Sequence, residues 1–278
     1  MGIKHFVKKI YAATKEREIV PIEHKTSYGD EFDGKVAWIA GGSGGIGLAI
    51  AKGLLESGCK VIISGTNSKK LNEIKDSLNT NNVQTLILNY NVVDTFKEKC
   101  REANELFEKD IDIFISATGI HVDREGLDFL NVTESEFDSI MNTNLRGTFF
   151  ICQEVSKHMV EKKIKGHILI VSSQSALEPA WSPYRISKLA ISGLIKGMAQ
   201  RLIGHGIVVN GIGPGPTATS MQKNYDGTNI YTPLNPIQRY TMPEEVAEVA
   251  KMLVSPLGDT IVGDTVYMSG GRGIIELR

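Results

Sequence analysis

With 278 residues, 41% of them apolar and 23% charged, the chain has the composition of one ordinary globular domain with a tail, not of a disordered or two-module protein. Lys and Arg number 31 against 32 Asp and Glu, a formal net charge of −1, so nothing in the balance calls for nucleic acid as a partner. No run of about 18 apolar residues is present to span a membrane, and the start lacks the uninterrupted apolar stretch of a secretory signal. The three cysteines, Cys59, Cys100 and Cys152, are odd in number and show no C-x-x-C pairing, which predicts packed, reduced thiols and a cytoplasmic location. His5, His24, His121, His158, His167 and His205 lack metal-ligand spacing, and no metal is expected.

In the first 25 residues, Ile3, Phe6, Val7, Ile10 and Tyr11 fall on one helical face, and six basic residues stand against three acidic ones. This predicts an amphipathic, basic N-terminal extension, residues 1–32, whose apolar stripe packs on its own domain, on a sister subunit or weakly on a membrane surface. From Asp33 short apolar runs alternate with helical stretches. Strands are predicted at 35–40, 60–64, 83–89, 111–116, 167–171, 207–212 and 265–269. Several of these runs are apolar throughout, as in parallel strands covered on both sides. The pattern predicts an α/β protein: a Rossmann-type, doubly wound, seven-stranded parallel sheet with helices on both faces, one dinucleotide-binding domain over residues 33–278.

After the first strand comes Gly41-Gly42-Ser43-Gly44-Gly45-Ile46-Gly47, followed by Leu48, Ile50, Ala51, Leu54 and Leu55 at helical spacing. A glycine turn between strand and helix lets backbone N–H groups approach a pyrophosphate at the positive end of the helix, so a dinucleotide fits. The second strand ends in Ser64-Gly65-Thr66-Asn67-Ser68-Lys69-Lys70, without the carboxylate that would repel a ribose 2′-phosphate. NADP(H) is therefore favoured over NAD(H).

Tyr184-Arg185-Ile186-Ser187-Lys188 places a phenol and an ammonium four residues apart, on one face of a helix. A neighbouring cation favours the phenolate and is expected to lower the tyrosine pKa towards working range. Upstream, the fifth strand ends in Ser172-Ser173; Asn142 and Asn144 stand in Met141-Asn142-Thr143-Asn144-Leu145-Arg146-Gly147; and Asn210-Gly211-Ile212-Gly213-Pro214-Gly215-Pro216-Thr217 follows the sixth strand. Parallel strand ends converge on one crevice, where such sheets bind ligands.

With these motifs the chain resembles the short-chain dehydrogenase/reductase family from about Phe32 to Gly273. The resemblance implies Asn144, Ser173, Tyr184 and Lys188 as catalytic residues. It implies cofactor contacts from Gly41, Ser43, Gly45, Ile46, Gly47, Thr66, Asn91, Val92, Gly119, Tyr184, Lys188, Pro214, Gly215 and Thr217. The activity it implies is hydride transfer between NAD(P)(H) and a small carbonyl or alcohol substrate, with Ser173 on the carbonyl oxygen, Tyr184 as proton donor, Lys188 on the ribose and Asn144 holding a water. It also implies a homo-oligomer, a tetramer or dimer, built on the helices after Asn144 and around Tyr184.

Three departures stand out. Ser116-Ala117-Thr118-Gly119 replaces the family's Asn-Asn-Ala-Gly, so support for that strand must come from other groups. Asn91-Val92 replaces the usual Asp-Val. Ser173 precedes Tyr184 by 11 residues, a short spacing that makes Ser172 a competitor for its role. The stretch between Thr217 and Pro243, with Met221, Tyr225, Tyr231 and Tyr240, is expected to close over the substrate. Two rival readings are a sugar-nucleotide epimerase or dehydratase, disfavoured by the short segment after Pro214, and a silent dinucleotide-sensing protein, disfavoured by the intact Ser173, Tyr184, Lys188 and Asn144.

Overall fold

The computed structural model describes residues 31–122, 124–222, 225 and 227–275. The predicted N-terminal helix lies outside them. Seven strands form one sheet: β1 (Val36–Ala40), β2 (Lys60–Gly65), β3 (Val83–Ile87), β4 (Ile113–Ser116), β5 (His167–Val171), β6 (Val208–Pro214) and β7 (Thr265–Met268). All pairs are parallel, in the order β3-β2-β1-β4-β5-β6-β7. Every predicted strand is present, although β3 stops at Ile87 and β4 starts only at Ile113. The carboxylate of Asp112 accepts from Val36 N–H at 2.9 Å, giving the first residue of β1 a side-chain acceptor at this edge of the ladder.

The helices are α1 (Gly45–Glu56), α2 (Ser68–Leu78), α3 (Phe96–Glu105), α4 (Glu134–Ile140), α5 (Thr148–Glu161), α6 (Pro183–Leu202) and α7 (Pro243–Leu253). Alternation along β1 sorts them onto two faces, because successive strand residues point to opposite sides. Val36, Trp38 and Ala40 join one core with Phe96 of α3, Ile151 and Met159 of α5, and Ile191 and Ile195 of α6. Ala37 and Ile39 join the other with Ile50 and Leu54 of α1, Leu71 of α2, and Val246 and Leu253 of α7. Burying each such large side chain contributes roughly 1.5–3 kcal/mol, so both faces of the sheet are hydrophobically anchored. Phe32, just ahead of β1, is buried in the second core.

Strand order reverses between β1 and β4, which opens a crevice at their C-terminal ends. Polar pairs brace this edge from within the core. The Trp38 indole N–H donates to Ser64 Oγ at 2.9 Å, and its ring packs edge-on to Phe114 at 5.1 Å between centroids. Tyr90 Oη and Ser116 Oγ are 2.8 Å apart, both buried, which supplies the support that the missing asparagines leave to other groups. Tyr90 also lies against Gly147, where a Cβ would fall 2.6 Å from its own Cβ.

Cys59, Cys100 and Cys152 are all buried and free. Burial pushes each thiol from its ordinary 9.0 up to about 12. A raised folded-state pKa contributes stability that is complete below pH 9 and is lost as pH climbs towards 12, because the unfolded chain sheds those protons first. One thiol accounts for about 1.4 kcal/mol per pH unit in that window. Thermal unfolding between pH 8 and 11 should therefore show stability falling above pH 9, with a slope about 1.4 kcal/mol per unit shallower in Cys152→Ala. Parallel curves for the two proteins would contradict this account.

Candidate active site

The site is built where β5 runs into α6. Ser182 caps the helix, accepting from Arg185 N–H at 3.4 Å, and Pro183 occupies its first position, a residue suited there because its missing N–H is not needed. With the start set at Pro183, Tyr184 and Lys188 fall one turn apart on the face turned towards the crevice. Lys188 is buried, its Nζ donates to the Val171 carbonyl at 3.0 Å, and it stands 5.7 Å from the centroid of the Tyr184 ring. Desolvation lowers this amine to about 8.

Tyr184 departs from the sequence-based expectation. Its phenol pKa is raised, because burial outweighs the opposing hydrogen bond with Ser173. Lys188 does not bring it down in this structure: loss of water around the ring dominates. A phenol in this state keeps its proton at neutral pH.

Ser173 lines the cavity beside Tyr184 and accepts from Ser175 N–H at 3.1 Å, as cap of the short turn Gln174–Leu177. Ser172 is turned towards the helix, its Oγ donating to the Lys188 carbonyl at 3.3 Å and lying 3.5 Å from Ser192 Oγ. Both serines line the cavity, and the Ser172 hydroxyl is the one engaged by α6.

Asn144 lies in a π-helical segment, Met141–Gly147, that joins α4 to α5. π-turns inside helices recur at functional sites because the extra residue re-aims side chains. Here the Asn144 amide accepts from Ile120 N–H and donates to the Ile120 carbonyl, both at 2.8 Å, and donates to Ser187 Oγ at 3.2 Å. Ser187 in turn donates to the Tyr184 carbonyl at 2.7 Å. The side chain thus ties the loop after β4 to the catalytic helix. Gly119 leaves room for this: a Cβ there would fall 3.3 Å from Lys188 Nζ and 3.6 Å from Asn144 Oδ1.

The glycine turn fits a dinucleotide. Gly41 has φ +82°, and a Cβ on it would sit 2.8 Å from the backbone of Ala117 and Thr118. The N-cap of α1, Gly44, offers no side-chain acceptor, and the first turn holds no acidic residue, so the helix N-terminus is free for an anion. A Cβ on Gly45 would meet Thr219, which shows the segment after β6 closing down on the turn. Thr217 is buried, its hydroxyl bonded to the Gly215 carbonyl at 2.9 Å. Ser43 Oγ stands over Gly65, 3.0 Å from where a Cβ would be, at the end of β2. Asn91 Oδ1 accepts from Thr143 at 3.1 Å. Thr66 and Val92 are exposed on the rim of the crevice.

A cavity of about 300 Å³ joins these parts, lined among others by Ile46, Ser173, Tyr184, Pro214, Gly215 and Thr217. Sequence reasoning missed several of its walls. His121 meets the Tyr184 ring edge-on at 5.8 Å, while Gln174, Arg185 and Arg272 supply polar surface. Met221 and Leu234, both in the stretch expected to close over the substrate, and Trp181 close the other sides.

Residues 35–229 match the short chain dehydrogenase family. The chain is 32% identical over 247 residues to the 3-oxoacyl-[acyl-carrier-protein] reductase FabG of Rickettsia typhi, covering 87% of this chain and 98% of that one. It is also 32% identical over 246 residues to the 5-keto-D-gluconate 5-reductase of Escherichia coli K12, covering 86% and 95%. Among solved structures, a putative gluconate dehydrogenase from Agrobacterium tumefaciens superposes with a TM-score of 0.78 at 25% identity, covering 88% of this chain and 98% of that one. Fold, cavity and similarity over nearly the full length of these relatives converge: the chain belongs to the short-chain dehydrogenase/reductase family and is an NAD(P)-dependent oxidoreductase that interconverts a carbonyl and an alcohol.

Proposed function

We propose that the chain is an NADPH-dependent reductase of a small, polar ketone, acting through Ser173, Tyr184, Lys188 and Asn144. The observation that carries this reading is the Tyr184 phenol, half-buried in the wall of the cavity that Ser173 also lines and one helical turn from the Lys188 amine, which stands 5.7 Å from its ring. A reduced nicotinamide bound along the strand ends supplies the hydride. Ser173 holds the substrate oxygen against Tyr184, and the phenol, kept protonated by burial, donates its proton as that oxygen becomes a hydroxyl. Lys188, held by the Val171 carbonyl, replaces the proton and anchors the ribose. Asn144 keeps Ile120 and Ser187 in register beneath them.

The glycine turn and α1 take the pyrophosphate. Ser43, Thr66 and the neighbouring Asn67, Lys69 and Lys70 take the 2′-phosphate. Lys69 is fully solvated apart from a loose 3.9 Å pair with Glu73, and the first turn of α2 carries no acidic residue, which supports NADP(H) over NAD(H). A groove between α5 and α6 lined by Phe149, Val160, Leu194, Met198 and Leu202 supports a homo-oligomer formed through those helices.

Steady-state assays should give kcat/KM at least tenfold higher with NADPH than with NADH. Tyr184→Phe should lose about 10³-fold in turnover, the range of a positioned proton donor, while NADPH affinity stays within a few fold. A fully active Tyr184→Phe enzyme would remove the phenol from the mechanism. The Lys188 amine carries its proton below about pH 8 and loses it above, so reduction should be level up to pH 8 and decline beyond, with alcohol oxidation rising over the same range. Reduction that accelerates from pH 7 to 9 would reverse the assignment. Light scattering should return a dimer or tetramer mass; a monomer at micromolar concentration would exclude the assembly.

A further inference from the structure

The cavity wall beside Tyr184 carries more positive charge than its own structure consumes. Arg185, next to Tyr184 on α6, and Arg272, from the segment after β7, both line the cavity. They share one carboxylate: Glu178 Oε1 is 2.8 Å from Arg272 Nε, and Oε2 is 2.8 Å from Arg185 Nη2. The second contact is out of hydrogen-bond alignment, since Oε2 is buried with no hydrogen-bond partner. Arg185 is further placed by its Nη1 bond to the Pro179 carbonyl at 3.0 Å and by stacking over Trp181 at 5.3 Å.

The only other charged residue among the described cavity lining is Glu136, and it is neutralised by Arg124 at 2.7 Å and by Thr133 N–H at 2.9 Å. Counting each charged lining residue with its ion-pair partner, Arg185, Arg272 and Arg124 stand against Glu178 and Glu136, a surplus of one positive charge, and the N-terminus of α6 adds its partial charge at Ser182 and Pro183. A planar carboxylate is the partner a guanidinium fork recognises best. Gln174 adds a polar residue to the same wall. Its residue is 4% exposed in the cavity wall, its Nε2 donates to Ser175 Oγ at 3.2 Å, and its Oε1 is buried without a partner.

From these groups we infer that the substrate is a small keto acid, its carboxylate held by Arg272 and Arg185. The inference rests on the reductase reading above and adds the substrate class. In the step itself the ketone carbon gains a hydride from the reduced nicotinamide, which is oxidised, and the ketone oxygen gains the Tyr184 proton; the carboxylate is unchanged.

Two probes isolate the charge: 5-keto-D-gluconate, and L-sorbose, which carries a hydroxymethyl group in place of the carboxylate. With NADPH the full-length chain should favour the keto acid at least 100-fold in kcat/KM and should also favour it over acetoacetyl-CoA. Arg272→Ala should cut the acid-to-ketose ratio at least tenfold, through KM and with kcat changed less than threefold, and Arg272→Lys should restore part of the loss. Equal use of the two sugars, preference for the thioester, or an Arg272→Ala loss shared equally by both sugars would overturn the inference and leave the arginines as a structural tie. Trp181 fluorescence provides a readout without turnover: sodium gluconate, but not sorbitol, should quench it, and Arg272→Ala should abolish the quench. If no carbonyl is reduced with either cofactor, the reductase reading fails, while this titration still decides whether the cavity binds a carboxylate.

Discussion

The site depends on a lysine amine kept out of water. Lys188 Nζ donates to the Val171 carbonyl at 3.0 Å, and its burial is deep enough to bring the amine down to about 8. An unpaired ammonium is costly to bury, so the amine must be met by a carbonyl, a phenol or a ligand. That requirement couples three elements. The end of β5 must present Val171, α6 must begin at Pro183 so that Tyr184 and Lys188 stack, and the loop after β4 must keep Gly119 bare so that the amine has space.

Departures from the family's motifs are compensated by packing. Without asparagine side chains after β4, the strand end is braced by the Tyr90 to Ser116 bond and by the Trp38 to Ser64 bond one strand away. Tyr90 reaches its place because Gly147 has no side chain. The same region winds into a π-turn and delivers Asn144 to Ile120. Support lost from one loop thus comes from its neighbours, and the hydrogen bonds remain satisfied. The 11-residue spacing from Ser173 to Tyr184 is accommodated by the short turn Gln174–Leu177 and the extended run to Ser182, with Glu178 drawing Arg185 and Arg272 together over the gap.

Electrostatics divides the crevice into two ends. On the side of α1 and α2, the uncapped N-terminus of α1 and Lys69, paired only loosely with Glu73 at 3.9 Å, suit phosphate groups. On the side of α6, guanidiniums partly matched by Glu178 and Glu136 suit a smaller anion, next to a phenol that burial keeps neutral. The charged ends flank the point at which hydride and proton are exchanged.

Composition, strand periodicity and motif spacing were enough to read from the chain alone a seven-stranded parallel sheet, the glycine turn and the Tyr184–Lys188 pair. These are local properties: a strand's alternation, a turn's need for glycine and a four-residue helical offset are written in neighbouring residues. The turning of Ser172 towards α6, the upward pKa of Tyr184 and the part played by Tyr90 and Ser187 were not legible. Each depends on which groups meet across long sequence separations, such as Tyr90 with Ser116 or Glu178 with Arg272, and on how much water those contacts exclude. Burial and hydrogen-bond direction are properties of the packed whole, so only the tertiary structure decided whether the phenol holds or sheds its proton and which charges face the substrate.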